Sequence, residues 1–339
     1  MMKQIKRILY MFFAVMVILS ASSCGHTPVS VSSQKQEGYM VVDDKGNSIT
    51  LKKKPDKILT LALATDEMVL KIISPSQMVA VSSLAIDPGI STVAEEVSEV
   101  HGRMDEYNAE TILSYQPDLV IAPEWTSDDL IQTLKNLGLT VYISRGSLSV
   151  KDTEKAMEEI SAVLGEEEKG KIVIELMNED LQRAENRRSH ITDENRKKVV
   201  LYSHLKGYEG KGSLFDDLCS YAGVINGAAS IGLGKNDLLS KESIVKINPD
   251  VILIPTWSHG DISPESVIRE LTEDPALSTV NAIKNNNLKQ VKDSYIFSAS
   301  PRYDESNTWY SRSGVRGSVR KSGSFNCIRI YEMNQSPFI

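Results

Sequence analysis

A short apolar run that ends in proline occurs twice in the chain, each time with the same flanking pattern. The segment Asn108 to Thr126 aligns without a gap on Ser240 to Ser258, 132 residues later. In each copy a capping residue opens a short helical pattern, and a Pro-Asp turn ends it. The apolar run that follows does not alternate with polar residues, which is typical of a parallel strand covered on both faces. The pattern predicts two similar α/β lobes.

A tryptophan follows the strand-ending proline in both copies. Trp125 and Trp257 therefore lie just beyond the carboxyl ends of two predicted strands. In open α/β sheets, ligands bind at that edge. We expect the two indoles to face a cleft between the lobes and to offer it a large apolar surface. The alternative is that each tryptophan packs against its own lobe.

A long helical pattern separates the two copies. Apolar residues recur at helical spacing from Ala156 to Leu164, Gly165 interrupts them, and the pattern resumes from Glu166 to about Ile191. Some 26 residues of helix span about 39 Å, roughly the length of a small lobe. The pattern predicts two Rossmann-like lobes with central parallel sheets, joined by a long, rigid α-helix that permits only a small closing tilt.

Other elements follow from the same patterns. Val199 to Tyr202 is predicted as a strand, and Leu214 to Ala222 as a helix with Cys219 in the core. The stretch through Ser294 to Phe297 is predicted to complete the final strand. The resulting boundaries are 40–150 for the N-terminal lobe, 151–194 for the connecting helices and 195–300 for the C-terminal lobe.

The N-terminus indicates export. Basic residues precede twelve apolar residues, Ile8 to Leu19, which are too few to span a bilayer core of roughly 30 Å. We interpret residues 1–23 as a signal peptide. Small residues leading to Cys24 resemble a bacterial lipobox, although Ala21 replaces the usual leucine, so Cys24 is the predicted lipidation site. An ordinary cleavage with an unmodified Cys24 is the alternative. Residues 24–39 are predicted to be a flexible tether.

Composition narrows the class of function. With 339 residues, 41% hydrophobic and 24% charged, the chain suits two globular domains. A net charge of −7 argues against a nucleic-acid partner. Three cysteines give no disulfide framework, and the chain has no Gly-x-Ser-x-Gly, His-Glu-x-x-His or Cys-x-x-Cys motif. These observations favour a binding protein over an enzyme.

Several segments in order resemble one family. They are Lys57 to Leu61, Met78 to Ser83, Asp87-Pro88-Gly89, the paired Pro-Asp repeat and Gly210 to Leu218. Together with the lipobox and the long helix, they resemble the helix-hinged substrate-binding lipoproteins of ABC importers for iron-siderophores, haem and cobalamin. The resemblance covers about residues 40 to 300. It implies a ligand in the cleft between the lobes, no catalysis, no resident cofactor or metal, and a lipid-anchored monomer that serves a permease and its ATPase outside the cytoplasm.

The residues that could line the cleft are predicted from their loop positions. Besides the tryptophans, the candidates are Arg103, Tyr107, His204, Tyr208 and His259. Histidine and tyrosine could ligate iron or line a pocket, and Arg103 could pair with a ligand carboxylate. A loop histidine that is simply solvated is the alternative. Few basic residues fall in the predicted cleft, which leans away from a highly anionic catecholate siderophore.

The resemblance also implies a carboxylate on each lobe that docks onto permease arginines. Glu242 stands at the position of the second lobe, and the position of the first lobe falls near Asp129, with Glu110 as a rival from the repeat. Both glutamates lie in the first turn of a predicted helix, where the helix dipole alone would explain them.

Two alternatives and one anomaly stay open. A receptor for bare zinc or manganese would need converging ligands, which His101, His204 and His259 could supply. A surface metal-dependent hydrolase is a weaker alternative. Residues 301–339 lack the closing amphipathic helix of the family and carry six basic against three acidic residues, which suggests a reading frame altered after about Tyr303. A natural variable tail is the other explanation.

Overall fold

A β-hairpin opens the folded part of the chain. The structure is a computed structural model that describes residues 38–203, 209–258, 262–297, 302–303 and 322–323. Strands β1 (Tyr39–Val42) and β2 (Ser48–Leu51) pair antiparallel. The turn between them is held by Asp43, whose Oδ1 accepts hydrogen bonds from the backbone N–H groups of Lys45 and Asn47. The Tyr39 hydroxyl donates to the carbonyl of Val163, so the hairpin is tied to the connecting helices.

The first lobe is built on a five-stranded parallel sheet with the order β5-β4-β3-β6-β7. Its strands are β3 (Ile58–Thr60), β4 (Met78–Ser82), β5 (Gly102–Met104), β6 (Leu119–Pro123) and β7 (Val141–Ser144). Its helices are α1 (Leu63–Leu70), α2 (Ala109–Ser114) and α3 (Asp128–Asn136). The strand order reverses between β3 and β6, and a ligand crevice is expected beyond the carboxyl ends of such strands.

Two helices connect the lobes. Helix α4 (Val150–Val163) ends before Gly165, whose φ of 65° lies in the left-handed region that glycine adopts without strain. Helix α5 (Glu167–Arg188) follows with 22 residues, about 33 Å of helix. It is slightly shorter than the predicted span of Glu166 to about Ile191. It buries Val173, Met177, Leu181 and Ala184, one face of the predicted pattern.

The second lobe repeats the first on a smaller scale. Its four-stranded parallel sheet has the order β11-β10-β8-β9. The strands are β8 (Lys198–Leu201), β9 (Ile225–Asn226), β10 (Val251–Pro255) and β11 (Leu288–Val291). The helices are α6 (Leu214–Ala222), α7 (Gly227–Ser230), α8 (Lys241–Ile247), α9 (Pro264–Glu273) and α10 (Asn281–Lys284). Cys219 is buried in α6, as predicted. The predicted fold class, two α/β lobes with parallel sheets joined by a long helix, is confirmed.

The core explains why the strands are apolar throughout. In β6, Leu119 and Ile121 join one continuous core that also contains the apolar faces of α4 and α5, while Val120 joins a separate core on the outer side of the sheet. In β10, Leu253 joins the same continuous core and Ile252 joins an outer one. Both faces of each sheet are therefore covered, and one core runs through both lobes and the connecting helices.

The repeat is reproduced in backbone detail. Asn108 and Ser240 cap α2 and α8 through their side chains. The residues before each Pro-Asp pair, Gln116 and Asn248, both have positive φ, 50° and 49°. After each turn the aspartate accepts hydrogen bonds from the backbone that opens the neighbouring strand. Asp118 binds the N–H groups of Asp56 and Lys57, and Asp250 binds that of Lys198. The Pro-Asp motif therefore holds the first residues of a central strand in place through these hydrogen bonds.

One expectation about the C-terminal part is wrong, and the altered reading frame in the tail stays a prediction. Ser294 to Phe297 is not a strand, because Asp293–Tyr295 is a short 3-10 helix that follows β11. In the tail, β12 (Arg302–Tyr303) pairs antiparallel with β13 (Ser322–Gly323). Several predictions fall outside the described residues. They concern the remainder of 301–339, the signal peptide, Cys24, His204, Tyr208 and His259. Within the described ranges, no helix combines the length and apolar character that a membrane span requires.

Candidate functional site

A cavity of about 420 Å³ lies where the two lobes meet. Its first wall comes from α1 and from the loops after β6 and β7. Its second wall comes from the start of α6, the Lys235-Asn236 segment and the residues after the 3-10 helix that follows β11. The lining residues are Ala64, Thr65, Met68, Pro123, Glu124, Trp125, Ser144, Arg145, Gly146, Ser147, Leu148, Ser213, Leu214, Phe215, Lys235, Asn236, Ile296 and Phe297. The volume falls within the range of about 300–1,000 Å³ that is usual for organic ligands.

The aromatic wall of the cavity is uneven. Trp125 follows β6 directly, and 64% of its surface is exposed. Phe215, buried in the first turn of α6, and Phe297 line the cavity from the second lobe. An exposed indole beside a largely apolar cavity is typical of a surface that a ligand covers.

Trp257 does not line this cavity. Its indole Nε1 donates a hydrogen bond of 2.9 Å to Oδ2 of Asp87, which belongs to the first lobe. Its backbone N–H donates to Oδ2 of the buried Asp293 at 2.7 Å, which fixes the loop after β10. The other oxygen of Asp87 accepts from the Gly89 N–H at 2.8 Å. The two tryptophans therefore occupy different environments, although the sequence repeat places them identically.

The cavity holds a carboxylate that sequence reasoning did not select. Glu124 is half-buried, and its Oε2 has no hydrogen-bond partner among the described residues. Burial raises the pKa of Glu124, and a hydrogen bond from its own backbone N–H to the carboxylate opposes the rise. The charge of Asp44 adds to the rise, and that of Lys235 opposes it. The Oγ of Ser147, also a lining residue, is buried without a partner among the described residues. The sequence signal that could have found Glu124 is a difference between the two copies of the repeat, because the second copy has Thr256 at the same position, between the proline and the tryptophan.

The cations of the cavity differ in their availability. The Arg145 guanidinium makes two hydrogen bonds to Glu159, of 2.8 and 3.1 Å, and lies 3.4 Å from Asp44. These carboxylates raise the pKa of Arg145 and already neutralise its charge. Lys235 reaches the cavity from the second lobe, and no ion pair joins it to any other described residue. Lys235 is therefore the more available cation for a ligand.

Arg103 and Tyr107 stand away from the cavity. The Arg103 guanidinium donates to the backbone carbonyls of Val97 and Gly102, at 2.7 and 2.9 Å. Tyr107 is 38% exposed. Burial raises the pKa of Tyr107, against the effect of its hydrogen bond with the Ser82 side chain. The structure thus brings Trp125, of the seven predicted ligand residues, to the cavity; Arg103, Tyr107 and Trp257 lie elsewhere, and the other three fall outside the description.

A second cavity, of about 600 Å³, lies within the second lobe. Tyr202, Glu209, Leu238, Ile262 and Glu270 are among its lining residues. Although its volume is larger, its walls come from one lobe only. The cavity between the lobes is the better candidate site because both lobes contribute to its walls and because it lies beyond the carboxyl ends of β6 and β7.

The three predicted docking carboxylates are all exposed. Glu110, Asp129 and Glu242 occupy the second positions of α2, α3 and α8. Hydrogen bonds from its own backbone N–H and from the Ser240 side chain lower the pKa of Glu242, which keeps it charged. All three are accessible to a partner.

Two lobes around a ligand-sized cleft, on sheets linked by a stiff helix, define a solute-binding protein. The chain belongs to the periplasmic binding protein family, whose pattern matches residues 58–295. It is 26% identical over 81% of its length to an uncharacterized ABC transporter substrate-binding lipoprotein, YvrC, of Bacillus subtilis, 86% of which is covered. It is 23% identical over 73% of its length to a cobalamin-binding protein of Halobacterium salinarum, 68% of which is covered. In structure it is similar to the periplasmic heme-binding protein RhuT of Roseiflexus, with a TM-score of 0.60, 23% identity, and coverage of 71% of this chain and 91% of that one. The family match identifies a solute-binding protein with an extracytoplasmic location.

Proposed function

We propose that this protein captures a bulky metal complex, namely an iron-siderophore, haem or cobalamin, and delivers it to an ABC permease. The observation that carries the proposal is the exposed indole of Trp125 on the wall of a cavity of about 420 Å³ between the lobes. A cavity of this size with aromatic walls suits an organic complex. The relatives support the proposal, since one is a cobalamin-binding protein and another an iron-uptake system-binding protein of Bacillus subtilis.

A receptor for bare zinc or manganese is the competing function. Among the described residues, no three histidine, cysteine, aspartate or glutamate side chains come together to hold a metal ion. His101 is exposed, and it does not line the cavity. These observations favour the organic complex.

Tryptophan fluorescence tests the two functions together. The purified protein is titrated with haemin, cyanocobalamin, a neutral ferric hydroxamate and zinc. We expect saturable quenching by one of the three complexes, and weaker binding after Trp125→Ala. A response to zinc alone, lost on replacement of His101, His204 or His259, would instead establish the bare-metal receptor. No response from any complex would refute the proposed ligand class.

For docking, we propose the pair Glu110 and Glu242 in place of Asp129 and Glu242. Each glutamate occupies the second position of its helix, after the residue that caps it. The same Pro-Asp turn follows each of the two helices. Asp129 begins a different helix, α3, that lies after β6. Charge reversal of both glutamates to lysine should abolish ligand uptake by cells and leave ligand affinity unchanged. Glu179→Lys, an exposed change on α5, is the matched control. Loss of uptake with Asp129→Lys alone would reverse the assignment.

We further propose that the protein is a monomer held at the membrane by a lipid on Cys24. The support is the lipobox-like sequence before Cys24 and the lipoprotein relative from Bacillus subtilis. Metabolic labelling with a fatty acid should mark the wild type and leave Cys24→Ser unlabelled. Equal labelling of both proteins would contradict the anchor.

A further inference from the structure

Two buried polar atoms on the first-lobe side of the cavity lack a hydrogen-bond partner among the described residues. The Oε2 of Glu124 and the Oγ of Ser147 are both buried and have no hydrogen-bond partner among the described residues. Both residues line the cavity and follow neighbouring strands, β6 and β7. A buried polar atom without a partner destabilises the protein, so such atoms in a binding cavity indicate where a ligand supplies the missing bond.

The position of the Glu124 carboxylate depends on Gly146. A Cβ added to Gly146 would lie 2.0 Å from Oε1 of Glu124, so the glycine leaves the space that the carboxylate occupies. Nothing in the backbone requires glycine here, because Gly146 is not among the residues with positive φ. The missing side chain at position 146 therefore leaves room for this carboxylate in the wall of the cavity.

The charges that face Glu124 define what it can bind. On its own lobe, Arg145 is neutralised by Glu159 and Asp44, and Asp44 raises the pKa of Glu124. From the second lobe, Lys235 lowers that pKa through its charge. An ionised carboxylate accepts hydrogen bonds, a protonated one also donates, and a serine hydroxyl does both. A ligand carboxylate at this end would meet the negative charge of Glu124.

We propose that Glu124 and Ser147 form the hydrogen-bond-accepting end of the cleft and select complexes that present an N–H donor, a carboxamide or an ammonium, over those that present a carboxylate there. This inference rests on the proposed function and specifies its ligand class. Lys235, on the opposite wall, is placed to donate to an acceptor such as the carbonyl of the same carboxamide. A neutral complex with a carboxamide can donate a hydrogen bond to Glu124 or Ser147 and accept one from Lys235. The two propionates of haem can only accept, and so can bind only Lys235.

Paired probes test the selection. Cyanocobalamin is compared with a derivative in which one side-chain carboxamide has been hydrolysed to the acid, which isolates the carboxamide. Ferrioxamine B, with its free ammonium, is compared with its N-acetyl derivative, which isolates the ammonium. Haemin represents the dicarboxylate ligands. Dissociation constants are measured by calorimetry for the wild type and for each variant.

We expect the wild type to bind the donor-bearing member of at least one pair more tightly, and Glu124→Gln to shrink that preference about tenfold, the effect of losing about 1.4 kcal/mol of differential binding. Ser147→Ala should shrink it less. Gly146→Ala should shrink it as well, because the added methyl displaces the carboxylate without removing it. Glu179→Gln, on the exposed side of α5, is the matched control and should leave the preference unchanged.

Three outcomes would overturn the inference. A preference that changes less than twofold in Glu124→Gln would show that this carboxylate does not meet the ligand. A wild type that prefers the acid or haemin, with the preference lost in Lys235→Met, would assign recognition to Lys235. A folded wild type that binds none of the complexes would refute the proposed function, and the inference with it. The first two outcomes refute the inference alone, because in them the wild type still binds a complex.

Discussion

The hydrogen bond between Trp257 and Asp87 gives the sharpest test of how the lobes are held together. The two residues are 170 positions apart and belong to different lobes. Trp257→Phe removes the Nε1–H donor and keeps an aromatic ring. A hydrogen bond to a charged acceptor contributes about 1.5–3 kcal/mol when buried; because both side chains are half-buried, we expect about 1–2 kcal/mol here.

Single variants cannot isolate this bond, because Asp87 also accepts a hydrogen bond from the Gly89 N–H and Trp257 takes part in a further interaction. A double-mutant cycle with Trp257→Phe and Asp87→Ala removes these separate effects. The measurement is the free energy of unfolding in urea. One continuous core joins both lobes, so we expect them to unfold in a single transition.

The expected coupling energy is about 1–2 kcal/mol. If ligand binding requires the same lobe arrangement, each complex that binds should also weaken by about 5- to 30-fold in Trp257→Phe. The matched control is Trp125→Phe, an aromatic exchange at the exposed tryptophan, which should show no coupling to Asp87→Ala. A coupling energy within 0.3 kcal/mol of zero, which is about the error of additivity for independent sites, would refute the assignment of this bond as an inter-lobe contact.

Three further predictions concern stability. Trp125→Ala should change the free energy of unfolding by less than about 0.5 kcal/mol, because the side chain is largely exposed, while ligand binding is weakened; a larger loss would make Trp125 a packing residue. Asp250→Ala and Asp118→Ala should each cost about 1–2 kcal/mol, because Asp250 accepts one part-buried hydrogen bond, from the Lys198 N–H, and Asp118 accepts exposed ones from two N–H groups; a loss below about 0.5 kcal/mol in urea unfolding for either variant would contradict this role. Burial raises the pKa of Asp66 well above 3.8, so its contribution to stability is present at low pH and lost as the pH rises through its folded pKa. Asp66→Asn should therefore gain stability relative to the wild type between pH 4.5 and 8, and a constant difference across that range would contradict the shift.

Much of the fold is predictable because its signals are local. The capping side chains of Asn108 and Ser240, the Pro-Asp turns and the non-alternating strands depend on neighbours within a few residues, and the structure reproduces them. The long connecting helix follows from its apolar period. The segment after β11 shows the limit, because an apolar stretch of four residues does not distinguish a strand from the short helix observed at Asp293–Tyr295.

The candidate site is less predictable because it depends on contacts distant in sequence. The repeat makes Trp125 and Trp257 equivalent, yet Asp87 and Asp293 hold the second in place, and among the described residues no side chain accepts a hydrogen bond from the first. Glu124 belongs to no motif, and the role proposed for it depends on the space that Gly146 leaves, on its partly buried carboxylate and on the charge of Lys235 from the other lobe. From the sequence, the loop histidines and tyrosines are candidate ligand residues only because of the chemistry of their side chains.

The sequence by itself determined that this protein has two related α/β lobes, a stiff helical connection and strands buried on both faces, since periodicity, capping and turn chemistry act over a few residues. Only the tertiary structure decided which tryptophan faces the cavity and which one joins the lobes. It also decided that a carboxylate with one oxygen unpartnered among the described residues lines the cavity. Those features depend on how the shared core sets one lobe against the other. Such packing brings together residues that no local pattern relates.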